Sequence, residues 1–329
     1  MESDAFYESS VRVALEQNDL FYANQQCHQW LKHYSQIVSS GCSRDQFRHP
    51  ELWLAIANVA ERTSDFLLVE KLFQIFEHFT FNFSYTGRVP LLGVPIVNRP
   101  DLLARLLDSL DVPVDVLAIV DNSRISGHDK GSTVDNSVQR YLSALQQIGH
   151  PLVDTILVSV PFRHLGVAAS WNHILTSFPE LPLALIVNND VVFAANTLRQ
   201  SLERINLNRP QFLPLFQAPN SFSAFFMTSL CWDQLGLFDP NFQYAYFEDM
   251  EYRDRLISNP AVEWIQDVAI TAAMDALNHE HSLTIKSNPA YAASNQLSYA
   301  MNKLWYLSPR RFRGEQKGLW RRLWLAQWD

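Results

Sequence analysis

Residues 91–122 read LLGVPIVNRPDLLARLLDSLDVPVDVLAIVDN. Two short apolar runs, LLGVPIV (91–97) and VDVLAIVDN (114–122), enclose a segment of a different period. Pro100 suits the first turn of a helix, where its missing N–H costs nothing. Leu102, Leu103, Leu106, Leu107 and Leu110 then recur at three- and four-residue spacing, which puts them on one apolar stripe. Strand, helix, strand in so short a span predicts a βαβ unit with parallel strands.

The same alternation continues downstream. A polar loop with Gly127 and Gly131 precedes a helix at about 134–148, the strand DTILVSV (154–160), a helix at about 167–178 and the run LALIVNNDVVF (183–193). This predicts an α/β domain, a mainly parallel sheet flanked by helices on both faces. In such sheets ligands bind beyond the C-terminal strand ends. Polar residues fall at two of those ends: Asp121-Asn122, and Asn188-Asn189-Asp190. The second group interrupts two apolar runs that read as a buried central strand and its continuation.

Upstream, from 5 to about 83, the pattern is helical and rich in aromatic residues. LFYANQQCHQWLKHYSQIV (20–38) and ELWLAIANVAERTSDFLLVEKLFQIFEHF (51–79) carry helical apolar spacing, with breaks at Gly41 and His49-Pro50. Three to five helices in a small antiparallel bundle are expected, either as a packing extension or as a docking surface. The expected organisation is a helical N-terminal domain (1–86), an α/β domain (87–302) and a basic Trp-rich helical tail (303–329).

Composition narrows the class. Of 329 residues, 47% are hydrophobic and 18% charged, a globular balance. The net charge of −8 offers no general footing for nucleic acid. Three cysteines, Cys27, Cys42 and Cys231, show neither a disulfide framework nor metal-ligand spacing. MESDAFYESS at the start lacks the basic and apolar regions of a signal peptide, and no apolar run nears the roughly 20 residues of a membrane span. A cytoplasmic protein is expected.

Asp190, at a strand end and beside two amides, suits Mg²⁺ or Mn²⁺, which take oxygen ligands and keep positions for a substrate diphosphate. Residues 235–256, LGLFDPNFQYAYFEDMEYRDRL, add a turn at Phe238-Asp239-Pro240, an aromatic stretch and then Glu248, Asp249 and Glu251. Two carboxylates at a helix start can serve as a cap stabilised by the helix dipole. Alternatively, Phe242, Tyr244, Tyr246 and Phe247 desolvate the pair and offer a face to a sugar ring, and an Asp there acts as general base towards a hydroxyl.

The order of these motifs resembles the inverting glycosyltransferases of family 2, with the GT-A (nucleotide-diphospho-sugar transferase) fold. The pieces are PIVNRPDLLARLLDSL (95–110), VLAIVDNS (116–123), HLGVAASWNHIL (164–175), LIVNNDVV (185–192) and GLFDPNFQYAYFEDMEYRDRL (236–256), with NHEHS (278–282) and a trailing helix at Asn302-Lys303. The resemblance covers roughly residues 90–305. It implies transfer of a sugar from a UDP-, dTDP- or GDP-linked donor to a glycan, lipid-linked or protein acceptor, with Mn²⁺ or Mg²⁺, in polysaccharide biosynthesis. It further implies that Pro95, Val97 and Asn98 line the nucleotide pocket, that Asp121 bonds the base or ribose, and that Gly166 and Asn172 shape the donor pocket. Asn188, Asn189 and Asp190 stand at the DxD-like motif with Asp190 as the metal carboxylate. Asp249 would be the catalytic base and Glu248 would orient substrate. His279 or His281 would complete the metal shell. The chain departs from the pattern in having Asn rather than Asp at 188, and Ser123-Arg124 where a Gly usually follows the second-strand Asp-Asn.

In the tail, KGLWRRLWLAQWD (317–329) sets Trp320, Trp324 and Trp328 on one helical face among basic residues. Such a helix suits peripheral contact with the inner face of a membrane, or packing on the N-terminal helices or a second subunit. Two rivals stand beside the transferase. A sugar-nucleotide pyrophosphorylase calls for a Gly-rich basic phosphate loop, and the first strand is followed instead by Asn98-Arg99-Pro100. A catalytically silent scaffold keeps the fold and lacks turnover.

Overall fold

A computed structural model describes residues 4–39, 50–77, 86–123, 136–279, 283–286 and 289–309. The chain divides into two compact units, Met1–Asn82 and Phe83–Asp329.

The described part of the first unit is helical: α1 (Asp4–Glu16), α2 (Leu20–Ser39), α3 (Pro50–Thr63) and α4 (Leu67–Glu77). Its core joins Tyr7, Trp30, Tyr34, Leu52, Ile56 and Leu68, with the Tyr7 ring stacked on Trp30 at 6.3 Å. Asp65, ahead of α4, accepts from the Asn24 amide at 2.8 Å and meets His28 Nε2 at 3.1 Å, so the last helix is tied to α2 by polar as well as apolar contacts.

The second unit begins with the βαβ unit read from the sequence: β1 (Val89–Ile96), α5 (Pro100–Asp108) and β2 (Val114–Asp121). Pro100 opens α5, and Leu102, Leu103, Leu106 and Leu107 form its buried stripe. Then follow α6 (Ser137–Ile148), β3 (Val153–Ser159), α7 (Gly166–Ser177), β4 (Leu183–Val187), α8 (Thr197–Arg204), β5 (Gln211–Pro214), β6 (Ala224–Thr228) and α9 (Ser229–Leu235). The unit continues with α10 (Glu248–Ser258), β7 (Glu263–Trp264), α11 (Val268–Leu277), α12 (Leu283–Lys286) and α13 (Pro289–Leu307). The seven strands make one sheet in the order β3-β2-β1-β4-β6-β5-β7. Pairs β2–β3, β1–β2, β1–β4 and β5–β7 are parallel, while β6 runs antiparallel to both β4 and β5. The expected mainly parallel α/β architecture is present, with a reversed strand that the sequence reading did not place.

Side chains alternate between two cores, as strand geometry requires. Leu92, Val94 and Ile96 of β1 join Leu117, Ile119, Leu185 and Phe226 on one face. Leu91 joins Val120, Ile186, Phe225 and Trp171 on the other. Gly93 lies where α7 crosses the sheet; a Cβ there would stand 2.7 Å from the Ile174 side chain and 2.8 Å from that of Ile186. Its lack of a side chain lets the helix pack close.

One expectation is corrected. The run Val191–Phe193 does not continue the strand: β4 ends at Val187, and 191–193 is an irregular segment. Val191 and Phe193 are buried, but the Val192 backbone is bonded on both sides by Asn278, which donates to its carbonyl at 2.8 Å and accepts its N–H at 2.9 Å. A side chain has replaced a neighbouring strand, so the apolar composition is kept without sheet pairing.

Candidate active site

Because β2, β1 and β4 are neighbours and parallel, their C-terminal ends lie side by side. Pro95 pairs with Val120 near the end of β1, and the chain leaves that strand through half-buried Val97 and Asn98. β2 ends on Asp121, and β4 hands over to Asn188, Asn189 and Asp190. Seven of the expected site residues therefore share one sheet edge.

Hydrogen bonds fix much of this edge. The Asn122 N–H donates to the Ile96 carbonyl at 2.8 Å, and the Asn188 N–H donates to the Ser223 carbonyl at 2.8 Å. Asn189 is buried; its amide donates to the Asn98 carbonyl at 3.1 Å and accepts from Thr284 Oγ1 at 3.0 Å. Asn98 in turn donates to the Thr284 carbonyl at 3.2 Å. Asn98, Asn189 and Thr284 thus form a closed ring joining the ends of β1 and β4 to α12. Buried Asp121 accepts from the N–H of Ser123 at 2.9 Å and from its hydroxyl, and that hydroxyl accepts from the Gln139 amide at 2.6 Å.

The turn into α7 is held from the same edge. Asn122 donates to Ser170 Oγ at 2.9 Å and accepts the Leu165 N–H at 3.0 Å. Gly166 adopts φ +75°, and a Cβ there would lie 2.6 Å from the Tyr244 nitrogen. The Val167 N–H donates to the Tyr244 carbonyl at 2.6 Å. The His164 ring packs 4.8 Å from the Tyr244 ring, and its Nδ1 accepts the Gly166 N–H at 3.0 Å, which puts the ring proton on Nε2. Burial lowers the His164 pKa to about 4, so this ring stays neutral. Asn172 is bonded through both amide atoms to the backbone of Phe238, at 2.7 and 2.9 Å. Gly166 and Asn172 therefore both grip the 236–249 segment, and the close backbone approach at Gly166 is made by Tyr244.

That segment delivers the acidic pair. Tyr244, Tyr246 and Phe247 all have left-handed backbones, at φ 54°, 85° and 70°. Aromatic residues rarely adopt this region, and each such residue costs of order 1–3 kcal/mol unless its surroundings impose it. The imposing residue is Asn302 of α13, which is fully buried. The two N–H bonds of its Nδ2 are shared among the carbonyls of Gln243 (2.8 Å), Ala245 (2.9 Å) and Tyr246 (3.0 Å), and its Oδ1 accepts the Gln243 N–H at 3.0 Å. Trp305 Nε1 adds a bond to Asp239 at 2.9 Å, and the Tyr306 hydroxyl one to Asp254 at 2.7 Å. Trp305, expected as part of the tail, is buried in this cluster with Phe242 and Phe247.

Glu248 and Asp249 open α10 directly after this loop. Glu248 is 5% exposed, and its Oε2 meets no hydrogen-bond partner among the described residues. Burial, aided by the Asp249 charge, pushes its carboxyl up to about 8. Asp249 is half-buried, accepts the Met250 N–H at 2.8 Å, and is also raised by burial. One turn on, Glu251 is bound by Arg255 at 2.8 and 2.7 Å, with the guanidinium also donating to the Leu235 and Leu237 carbonyls. Glu251 therefore braces the helix, whereas among the described residues neither Glu248 nor Asp249 is shown in an ion pair.

The expected metal residues fare unequally. Among the described residues no group of three or more His, Cys, Asp or Glu side chains is placed to hold a metal ion. Asp190 is half-buried at the sheet edge. His279 is exposed and follows Asn278, whose bonds to Val192 bring the end of α11 alongside the segment after Asp190. His281 lies outside the described residues. This donor set does not make a cage from protein alone. It does fit a cation shared between one carboxylate and a substrate diphosphate.

Sequence reasoning quoted His164 and Asn302 within the matching stretches without giving either a role, and it did not single out Thr284. A cavity elsewhere, lined by Arg88, Asp115, Leu183, Leu202 and Leu207, sits at the N-terminal strand ends, away from these residues. Among the described residues no helix is long and apolar enough to cross a membrane.

No protein-family model matches the chain, and no curated protein does. Among solved structures it is similar to Staphylococcus aureus TarS 1–349 in complex with UDP-GlcNAc, at 14% identity and a TM-score of 0.38, over 54% of this chain and 56% of that one. The UDP complex of the same protein gives 15% identity and 0.40, over 54% and 58%. GalNAc-T7 with UDP, GalNAc and Mn²⁺ gives 12% identity and 0.42, over 56% and 43%. The match spans about half the length of these proteins, and likeness at this level bears no weight on substrate or mechanism.

Proposed function

We propose that the chain is a glycosyltransferase of the GT-A type that moves a sugar from a nucleotide-diphospho-sugar to an acceptor hydroxyl with inversion at the anomeric carbon. The observation that carries this reading is the carboxyl pair of buried Glu248 and half-buried Asp249, delivered by a strained loop that packs its backbone on the turn beside the β1, β2 and β4 ends. A capping role alone explains neither the orphaned Oε2 of Glu248 nor the backbone strain ahead of it.

In this reading Asp121 and the Asn98 turn receive the nucleoside, and Asp190 faces the diphosphate. Asp190 would hold Mn²⁺ or Mg²⁺, which supplies charge neutralisation for the departing diphosphate when bound. Asp249, the more exposed of the pair, takes the proton from the acceptor hydroxyl. The acceptor oxygen forms its bond to the anomeric carbon from the opposite face, and the carbon–oxygen bond to the diphosphate breaks. The nucleoside diphosphate leaves with that electron pair. Glu248, neutral near pH 7, donates a hydrogen bond to substrate and spares Asp249 a second adjacent charge. The aromatic loop keeps water from the pair, and a glycan acceptor for a surface polymer suits its character.

The test is a panel of UDP-, dTDP- and GDP-sugars with Mn²⁺ or Mg²⁺, monitoring released nucleoside diphosphate. Release from one donor, abolished by EDTA and by Asp190→Ala in a folded protein, is the expected result. Full turnover in Asp190→Ala sinks the assignment. Absence of both turnover and calorimetric donor binding establishes the scaffold reading instead.

A further inference from the structure

We propose that Asn302 is a positioning residue for the Glu248–Asp249 pair, acting through the backbone of residues 243–247; the proposal rests on the transferase reading given above. Asn302 touches neither carboxyl group in the structure. What it holds is the backbone that leads into them. Two N–H groups shared among three carbonyls, and one accepted bond, engage Gln243, Ala245 and Tyr246, and the left-handed residues Tyr244, Tyr246 and Phe247 fall within or beside that span.

An aromatic residue relaxes readily out of a left-handed backbone, because its Cβ clashes with the carbonyl oxygen in that conformation. Without Asn302, three carbonyls lose their buried donor, and rotation of the strained residues lets them reach water. Phe247 is the residue immediately before α10, so rotation there swings the first turn of the helix. Glu248 and Asp249 are that turn. The cap residue of α10 offers no side-chain hydrogen bond of its own, so the helix start depends on the loop. The flanking contacts of α13 do different work. Trp305 reaches Asp239, at the far end of the loop, and Tyr306 reaches Asp254, on the following turn of α10. Both also pack their rings against this loop, Tyr306 at 5.5 Å from the Phe247 ring and Trp305 in one cluster with Phe242 and Phe247. Asn302 is the α13 side chain whose amide holds the backbone of 243–246 directly, and it is placed to set the carboxyl pair within the fraction of an ångström that proton transfer requires.

The experiment compares Asn302→Ala with Trp305→Phe, which removes a hydrogen bond from the same helix while keeping an aromatic core residue. With the donor that the wild type turns over, Asn302→Ala is expected to lower kcat on the order of 100-fold. Donor Kd, measured by calorimetry, stays within about 3-fold because the sheet-end ring of Asn98, Asn189 and Thr284 is untouched. Trp305→Phe keeps kcat within that same margin. Equal losses in both variants, or a loss in donor affinity that matches the loss in kcat, overturn the proposal in favour of general loosening. A second arm needs no turnover: chymotrypsin cuts after Tyr and Phe, and cleavage at 244, 246 or 247, read by mass spectrometry, is expected to accelerate in Asn302→Ala alone. Unchanged protection overturns the tie between Asn302 and the loop. A wild type silent across all donors defeats the transferase reading, while the protease arm still decides the tie. If Asn302→Ala does not fold, Asn302→Ser, which retains one donor, carries the same comparisons.

Discussion

Gly166 and Tyr244 meet backbone to backbone: a Cβ on Gly166 would lie 2.6 Å from the Tyr244 nitrogen and 2.8 Å from its Cα and its carbonyl oxygen. Backbone cannot step aside as a flexible side chain can, and the left-handed φ of Gly166 adds a penalty of its own. Gly166→Ala is expected to lose on the order of 2–5 kcal/mol of stability by urea unfolding, together with most turnover. A variant within about 0.5 kcal/mol of wild type would show that the contact is not close in solution.

Burial holds the Glu248 carboxyl neutral up to about 8, against an ordinary value of 4.5. The folded state therefore keeps a proton that the unfolded chain releases above about pH 4.5. The favourable contribution of this protonated group is whole below that pH, declines as pH rises, and is gone above about pH 8. Glu248→Gln cannot ionise, so its stability changes less across this window and exceeds that of the wild type at pH 8–9. Thermal unfolding at several pH values checks this; parallel curves for the two proteins contradict it.

Asp249→Asn removes the proposed base while keeping its shape. A loss of kcat of about 10²- to 10⁴-fold with intact donor binding is expected. Asp190→Ala should instead weaken donor binding, and calorimetry with and without Mn²⁺ separates the two. Equal effects on binding would mean that the two carboxyl groups do not divide the work in this way.

Arg255 reaches two oxygens of Glu251 and two backbone carbonyls while lying 4.4 Å over the Tyr252 ring. A lysine cannot reproduce that planar fork. Arg255→Lys is expected to lower stability by roughly 1–3 kcal/mol, because one ammonium cannot reach Glu251 and the Leu235 and Leu237 carbonyls together. An unchanged urea midpoint would assign the pairing no net worth.

Cys27 and Cys231 are fully buried, and burial raises both thiols to about 12. Neither should react with a thiol reagent in the native protein near pH 8, and both should react at once on unfolding. Rapid native labelling of either, located by mass spectrometry, would contradict the packing of its unit; Cys42 lies outside the described residues.

The legible part of the fold was the part whose signals are local. The Leu102–Leu110 stripe, Pro100 and the two apolar runs around them each fix an element within a few residues, and β1, α5 and β2 follow. The position of Asp121 and Asn188–Asp190 at strand ends needed only the topology of a parallel sheet. The reversal of β6 left no such trace, since Ala224–Thr228 is wholly buried and apolar composition does not encode direction. The segment 191–193 misled because burial without pairing looks like a strand in composition. Least legible was the loop before Glu248. Left-handed backbones usually announce themselves with Gly or Asn, and here they fall on Tyr244, Tyr246 and Phe247. The cause is Asn302, 59 residues beyond Gln243, in a stretch whose own pattern says only that it is helical.

That separation along the chain has a temporal side. A ribosome adds about 5–20 residues per second, so Gln243 leaves the site of synthesis roughly 3–12 s before Asn302 exists. During that interval the parallel strands can already pair, while the acidic pair hangs from a loop with nothing to fix it. On the transferase reading, the amide that ties down the loop before Glu248 and Asp249 is thus made seconds after the loop itself, so the acidic pair is expected to gain its fixed position late in synthesis.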